Sequence, residues 1–208
     1  MEALNISLEN IGRRFNREWI FKKVNYTFEN SQSYGILGPN GSGKSTLLQL
    51  ISGSLTPSEG KINYQLNSKE VSVEDVFKHL VIAAPYLELI EEFTLQEIIN
   101  FHFKFKSYRH GLSSEQLIDL LALKAVHKPV KYFSSGMKQR VKLALAFGSD
   151  TPVLLLDEPT ANLDQQGIDW YLSLIDQFAS KRLLLVCSNQ PHEYQFCQHQ
   201  LNVLDYKL

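Results

Sequence analysis

The sequence predicts an α/β protein with a parallel-sheet core, an antiparallel β region at the N-terminus and a helical subdomain inserted at about 86–148. Three observations predict it. Val153-Leu154-Leu155-Leu156 and Leu183-Leu184-Leu185-Val186 are short continuous apolar runs, the pattern of strands covered on both faces in a parallel sheet. Leu4-Asn5-Ile6-Ser7-Leu8 and Val24-Asn25-Tyr26-Thr27-Phe28 alternate, as half-buried antiparallel strands do. From about Tyr86 to Gly148 the apolar spacing becomes helical, with helix-start patterns at Thr94-Leu95-Gln96-Glu97 and Ser113-Ser114-Glu115-Gln116.

The remaining elements follow in chain order. Ser33-Tyr34-Gly35-Ile36-Leu37 reads as a buried strand and Leu47-Leu48-Gln49-Leu50-Ile51 as a helix. Pro57-Ser58-Glu59-Gly60 is a turn, and Lys61-Ile62-Asn63-Tyr64 a further strand. Leu80-Val81-Ile82-Ala83-Ala84 reads as a fully buried strand ended by Pro85, and Met137 to Phe147 as a helix. The expected organisation is one domain: residues 1–85 and 149–208 form the core with its β region, and 86–148 the helical subdomain.

Composition narrows the function. The chain has 208 residues, 44% of them hydrophobic, enough for one substantial core. The 22 acidic and 21 basic residues nearly cancel, so no basic surface argues for nucleic acid. No apolar run approaches the ~20 residues that cross a bilayer, and Met1-Glu2-Ala3-Leu4-Asn5 lacks the pattern of a signal peptide. Cys187 and Cys197 show no metal-ligand spacing and are expected to be reduced thiols. A soluble, cytoplasmic protein is expected.

Gly38-Pro39-Asn40-Gly41-Ser42-Gly43-Lys44-Ser45-Thr46 fits G-x-x-x-x-G-K-[ST] and lies between the predicted strand and helix that the motif requires. The glycines let backbone N–H groups turn toward phosphate oxygens, and the helix N-terminus adds partial positive charge. Lys44 is placed to reach the β- and γ-phosphates of a triphosphate, and the Ser45 hydroxyl to ligate Mg²⁺. Directly after the strand Val153–Leu156 come Asp157 and Glu158. A strand that carries two carboxylates to its C-terminal end delivers them where α/β folds bind ligands. Asp157 is placed to hold the magnesium through water, and Glu158 to polarise the water that attacks the γ-phosphate.

Phe133-Ser134-Ser135-Gly136-Met137-Lys138-Gln139-Arg140 resembles the signature motif of ATP-binding cassette (ABC) ATPases, and Pro159-Thr160-Ala161-Asn162-Leu163-Asp164 their D-loop. The four motifs occur in the family's order, and Ser134 lies 24 residues before Glu158, a similar separation. The resemblance runs from about Leu4 to Val203. It implies a P-loop NTPase core of the ABC type that uses ATP and Mg²⁺ and pairs head to tail as a homodimer, or with another ABC subunit. In the pair, Ser134 and the Gly136 N–H grip the γ-phosphate bound to the opposite chain. Ser134 also fits an ordinary helix N-cap. Phe15, 23 residues before Gly38, falls where the family stacks an aromatic on adenine. Trp19 is its rival for that role.

Two family positions differ. Where the family carries a glutamine after the strand ending near Ala84, this chain has Pro85 or Tyr86. Where it carries a switch histidine, the chain has Asn189, which donates a hydrogen bond but cannot become positively charged. His192 is a distant stand-in. His79, His102, His110, His127 and His199 show no metal spacing and are expected to be solvated or structural.

The family also implies a groove for a short helix of an integral membrane subunit in the apolar stretch from Tyr86 to Phe105, rimmed by Glu88, Glu91 and Glu92. Some of its apolar residues are expected to face a partner and most to fill the helical core. The expected function is the ATP-hydrolysing subunit of an ABC transporter, held at the inner face of the cell membrane through its partner. A non-transport mechanical ATPase and a slowly hydrolysing nucleotide-gated module are the alternatives.

Overall fold

The computed structural model describes residues 3–109, 111–123 and 126–207; the expectation for His110 falls outside them. The first sheet is antiparallel and contains β1 (Leu4–Phe15), β2 (Glu18–Phe28), β4 (Glu59–Leu66) and β5 (Lys69–Val71) in the order β2-β1-β4-β5. β1 alternates as expected: Leu4, Ile6 and Leu8 are buried, while Asn5, Glu9 and Asn10 are exposed and Ile11 is buried again. The register shifts beyond Leu8, where β1 twists between its two partners.

The second sheet has the order β6-β7-β8-β3-β9, from β3 (Ser33–Leu37), β6 (Leu80–Ala83), β7 (Val153–Asp157), β8 (Leu183–Cys187) and β9 (His199–Asn202). β7–β8, β8–β3 and β3–β9 are parallel pairs. All five residues of β7 and all five of β8 are buried, which is why their sequences run apolar without alternating. The register sets Asp157, Cys187, Ile36 and Leu201 in one row across the sheet. The end of β7 and the loop after β3 therefore share the C-terminal edge.

The chain folds as two compact units, one of Met1–Ile82, Pro152–Glu158 and Lys181–Leu208, the other of Ala83–Thr151 and Pro159–Ser180. The first holds both sheets with α1 (Lys44–Ile51) and the short α6 (Pro191–Tyr194). Its core includes Ile6, Phe28, Ile36, Leu47, Leu155 and Leu185, and each such side chain contributes about 1.5–3 kcal/mol by leaving water.

The second unit is helical: α2 (Leu95–His102), α3 (Ser114–Leu121), α4 (Ser135–Gly148) and α5 (Gln165–Phe178). Placing α5 here departs from the boundary at 149 read from the sequence. Its Trp170 Nε1 donates to the Leu120 carbonyl at 2.9 Å, Arg140 lies over the Trp170 ring at 4.7 Å, and Tyr171 meets Phe147 edge-on. Those contacts are made with α3 and α4 rather than with the sheets.

Local start signals hold. Thr94 caps α2 by accepting from Glu97 N while the Glu97 side chain accepts from Thr94 N, a complete reciprocal box. Ser113 accepts from Gln116 N and caps α3 from one side only. His102 is half-buried, shares a 2.8 Å hydrogen bond with Ser149 Oγ, and is held neutral by loss of solvent, which pulls its pKa down to about 4. It is structural. His199 stacks on Tyr34. Both cysteines are free thiols.

Replacing Thr94 by Ala removes the donor-satisfying half of the box. We expect a loss of about 1 kcal/mol, read as a lower urea midpoint at unchanged slope.

Candidate functional site

β3 delivers the chain into the glycine loop, and two of its residues have backbones that only glycine adopts easily. Gly38 has φ +147° and Gly43 φ +108°. A Cβ on Gly43 would lie 2.5 Å from Ile20 Cγ2, and one on Gly38 2.5 Å from Ser42 Oγ. Gly43 is the N-cap of α1 and supplies no side-chain cap. The first-turn N–H groups of the helix are thus left as donors for an incoming acceptor.

Lys44 is buried, and its Nζ donates to the carbonyls of Gly38 at 2.7 Å and Pro39 at 3.3 Å. The loop so holds its own cation at the place where an anion would bind. Asn40, Gly41, Gly43, Lys44, Ser45 and Thr46 line a cavity of about 210 Å³ that Ile20 and Glu158 complete. Gly38, Pro39 and Ser42 shape the loop without lining that space, Ser42 N donating to Pro39 O at 3.1 Å.

Asp157 ends β7 with 1% of its surface exposed, and neither carboxylate oxygen has a hydrogen-bond partner at ordinary geometry among the described residues. Burial is the largest influence on it and pushes its pKa up to about 6. The Ser45 hydroxyl and Lys44 oppose that rise, whereas Glu158 and Glu193 add to it. A buried carboxylate without donors is costly; a divalent cation held between Asp157 and Ser45 removes that cost. No group of three His, Cys, Asp or Glu side chains able to hold a metal occurs among the described residues. The oxygens of a bound ligand would have to complete the cation's shell.

Glu158 lines the same cavity from a left-handed backbone, φ +42°, held by its N–H to the Cys187 carbonyl at 2.9 Å. Such a conformation is strained for a side chain with a Cβ and concentrates at functional positions. Asn189 reaches the loop from the far side of the sheet edge, its Nδ2 donating to Asn40 Oδ1 at 3.1 Å. The turn that presents Asn189 is fixed by Ser188, whose buried hydroxyl donates to the buried Glu193 carboxylate and accepts from Gln190 N at 2.8 Å. His192 sits half-buried in α6.

Phe15 stands at the end of β1, 47% exposed, with the Arg13 guanidinium 4.5 Å from its ring centre. Trp19 is half-buried: Lys22 Nζ lies 4.0 Å from its ring centre, and a Cβ on Gly12 would lie 3.0 Å from its Cζ3. Neither ring lines the loop cavity; Ile20 does. Ile20 and Glu193 escape the sequence reading, because an isoleucine in a strand and a glutamate in a short helix carry no motif.

In the helical unit Ser134 is the N-cap of α4, its Oγ accepting from Met137 N at 3.2 Å. Gly136 is required by close approach, since a Cβ there would lie 2.8 Å from the Asn162 carbonyl. Asp164 caps α5 by accepting from Gly167 N at 2.8 Å. Ser134, Gly136, Arg140, Asn162 and Asp164 are among the residues around a cavity of about 380 Å³. The structure thus gathers Lys44, Ser45, Asp157, Glu158 and Asn189 in one unit, and Ser134 and Gly136 in the other.

The apolar stretch from Tyr86 to Phe105 divides. Leu95, Ile98 and Ile99 are buried and Leu89, Phe93 and Phe103 pack against the helical core, whereas Leu87, Ile90, Phe101 and Phe105 are exposed. Glu91 is paired with Lys138 of α4.

Comparison with known proteins gives a consistent family. The family model described as ABC transporter matches residues 21–161. The chain is 29% identical over 164 residues to the uncharacterized ABC transporter ATP-binding protein YcbN of Bacillus subtilis, covering 78% of this chain and 53% of that one. It is 30% identical over 190 residues to the lantibiotic transport ATP-binding protein SrtF of Streptococcus pyogenes, covering 88% and 79%. The chain so spans about half the length of the first relative and about four fifths of the second. Among solved structures, a dimeric ATP-binding cassette in a post-hydrolysis state, bound to ADP and phosphate, superposes with a TM-score of 0.76 at 22% identity, covering 95% of this chain and 93% of that one.

The Asp157 carboxylate yields a prediction whose sign is fixed by its shift. Its folded-state value, about 6, lies above the ordinary 3.8. Its contribution to stability is therefore complete below about pH 4 and lost as the pH rises through about 6, where the folded state must carry a buried, unpaired charge. Without divalent cation, Asp157→Asn should raise the melting temperature at pH 8, by up to about 3 kcal/mol of stability, and the gain should vanish at pH 4. Equal stability of the two proteins at pH 8 would contradict the assignment.

Proposed function

Since the chain belongs to the ABC transporter family of ATP-binding proteins, we propose that it binds and hydrolyses ATP to energise a separate integral membrane subunit, through closure of a dimer around the nucleotide. Gly38 to Thr46 cradle the triphosphate, and Lys44 exchanges the carbonyls of Gly38 and Pro39 for β- and γ-phosphate oxygens. Ser45 and Asp157 would hold Mg²⁺, which supplies charge neutralisation on the phosphates. Glu158 orients and polarises the attacking water, its strained backbone fixing the carboxylate at the cavity wall. Asn189 donates a neutral hydrogen bond to the γ-phosphate in place of a cationic one. Phe15 offers its exposed face to the base.

The observation that carries this reading is the unsatisfied Asp157 carboxylate beside Ser45 and the donor-rich start of α1. An anion and a cation are both needed there to complete the local chemistry, and a magnesium–triphosphate supplies the two together. Ser134 and Gly136, at the start of the fourteen-residue α4, form a second anion-binding element. In the proposed pair each chain offers it to the nucleotide held by the other, as a homodimer or with a related subunit; the dimeric state of the cassette with ADP and phosphate supports this arrangement.

The membrane partner is supported by the relatives named as transport ATP-binding proteins, and no helix among the described residues is long and apolar enough to cross a membrane. Placement on the inner face of the cell membrane follows from that partner. Leu87, Ile90, Phe101 and Phe105 are the exposed apolar groups available for its docking. Substrate and direction belong to the membrane subunit.

Two substitutions test the chemistry in steady-state ATPase assays alongside nucleotide-binding titrations. Glu158→Gln should lower turnover by at least about a hundredfold while ATP affinity persists; undiminished turnover would remove Glu158 from the role of base. Asn189→Ala should cost about tenfold or less, because only a neutral contact is lost. A collapse to background would show that Asn189 does more than donate one hydrogen bond.

A further inference from the structure

The turn between β8 and α6 carries Asn189 and is closed by two buried polar side chains, Ser188 and Glu193. The Ser188 hydroxyl donates to Glu193 Oε2 and accepts from Gln190 N at 2.8 Å. Backbone bonds complete the turn: Glu193 N donates to Gln190 O at 2.9 Å, and Ser188 N to Ile36 O at 3.2 Å. Asn189 itself is exposed, and its Nδ2 donates to Asn40 Oδ1 at 3.1 Å. All of these residues belong to the unit that holds both sheets.

A serine hydroxyl has a single proton. Given to the Glu193 carboxylate, that proton leaves only lone pairs facing the Gln190 N–H, which donates into them. Without the carboxylate the hydroxyl is free to turn toward the Gln190 carbonyl, 3.5 Å away, and the N–H loses its acceptor. The Gln190 N–H lies in the same peptide plane as the Asn189 carbonyl, so holding it sets the backbone that leaves Asn189. The Ser188 bond to Ile36 anchors the backbone that enters the turn. The α6 end is seated too, since a Cβ on Gly35 of β3 would lie 3.3 Å from Tyr194. Asn189 thus projects from a turn fixed on both sides.

Fold stability alone does not call for this pair. A buried carboxylate gives up its hydration, and apolar groups of similar shape in place of a buried polar pair often leave a fold as stable or more so. The pair supplies instead one geometry for the turn. We propose that Glu193 is a positioning residue for ATP hydrolysis: through the Ser188 hydroxyl it fixes the turn that aims the Asn189 amide at the γ-phosphate. The inference rests on the reading of the glycine loop as the ATP site and of Asn189 as a donor there. Glu193 does not line the loop cavity, but its charge is felt at the site, where it adds to the rise in the Asp157 pKa. An effect carried by that charge has to be told apart from one carried by the hydrogen bond.

The test is a double-mutant cycle in steady-state ATPase assays, reading kcat, KM for ATP and the Mg²⁺ concentration at half-maximal rate. Glu193→Ala should lower kcat between about threefold and about tenfold, with KM and the Mg²⁺ requirement unchanged. In the Asn189→Ala background the same substitution should change kcat by less than about twofold, because no amide is left to aim. Glu193→Gln keeps an oxygen that accepts from Ser188 and removes the charge; it should restore most of kcat. Ser188→Ala breaks the link from its other end and should give the same pattern should Glu193→Ala fold poorly. An unchanged kcat in Glu193→Ala overturns the inference, as does a loss that persists undiminished in the Asn189→Ala background. A Glu193→Gln loss equal to that of Glu193→Ala, with a shifted Mg²⁺ requirement, overturns it in favour of a charge effect on the metal. If the unmodified protein does not hydrolyse ATP, the reading of the site fails first and the inference falls with it.

Discussion

The rest of this site depends on a buried carboxylate, Asp157, that has no hydrogen bond of ordinary geometry among the described residues. Asp157 is carried to the sheet edge by β7, whose five residues are all buried, and it ends with both oxygens unmatched. Everything around it reads as an answer to that constraint. Ser45 and Lys44 approach from the start of α1, Glu158 turns away through a left-handed backbone, and Asn40 and Asn189 close the space opposite. On the proposed reading, a cation and a phosphate chain arriving together would complete this arrangement. Such binding would stabilise the ligand-bound conformation by mass action.

The second constraint is that the start of α4, which the proposed function assigns to anion binding, belongs to the other compact unit. Ser134 already satisfies its own helix by accepting from Met137 N, so its capping role is structural before any ligand is considered. What it presents outward is the remaining N–H groups of the first turn and the open space beside Gly136. In a paired cassette such an element needs no motion of its own; it needs a second chain. Within that unit, Gln139 Nε2 donates to Pro159 O and Lys142 Nζ to Pro85 O, so α4 holds the chain at both ends of its own unit's segments.

Much of this was legible in residues alone. Continuous apolar runs located β7 and β8 because a strand covered on both faces has no reason to alternate, and the glycine loop located its own strand and helix. The box at Thr94 formed in full, while Ser113 closed only one of its two bonds, since the reciprocal contact depends on a long side chain choosing its neighbour over water. What could not be read depends on contacts distant in sequence. α5 joins the helices because Trp170 and Tyr171 meet α3 and α4, and nothing in its own pattern names those partners. Ile20 and Glu193 acquire their contacts only once strands and turns bring Gly43 and Ser188 beside them.

The most direct measurement is the mass in solution of the Glu158→Gln protein, by sedimentation, with saturating ATP and Mg²⁺. The account predicts the mass of two chains with nucleotide and of one without, and the loss of the larger species when Ser134 is also replaced by Arg. A single-chain mass at saturating ATP, or a pair indifferent to both nucleotide and Ser134, would contradict it.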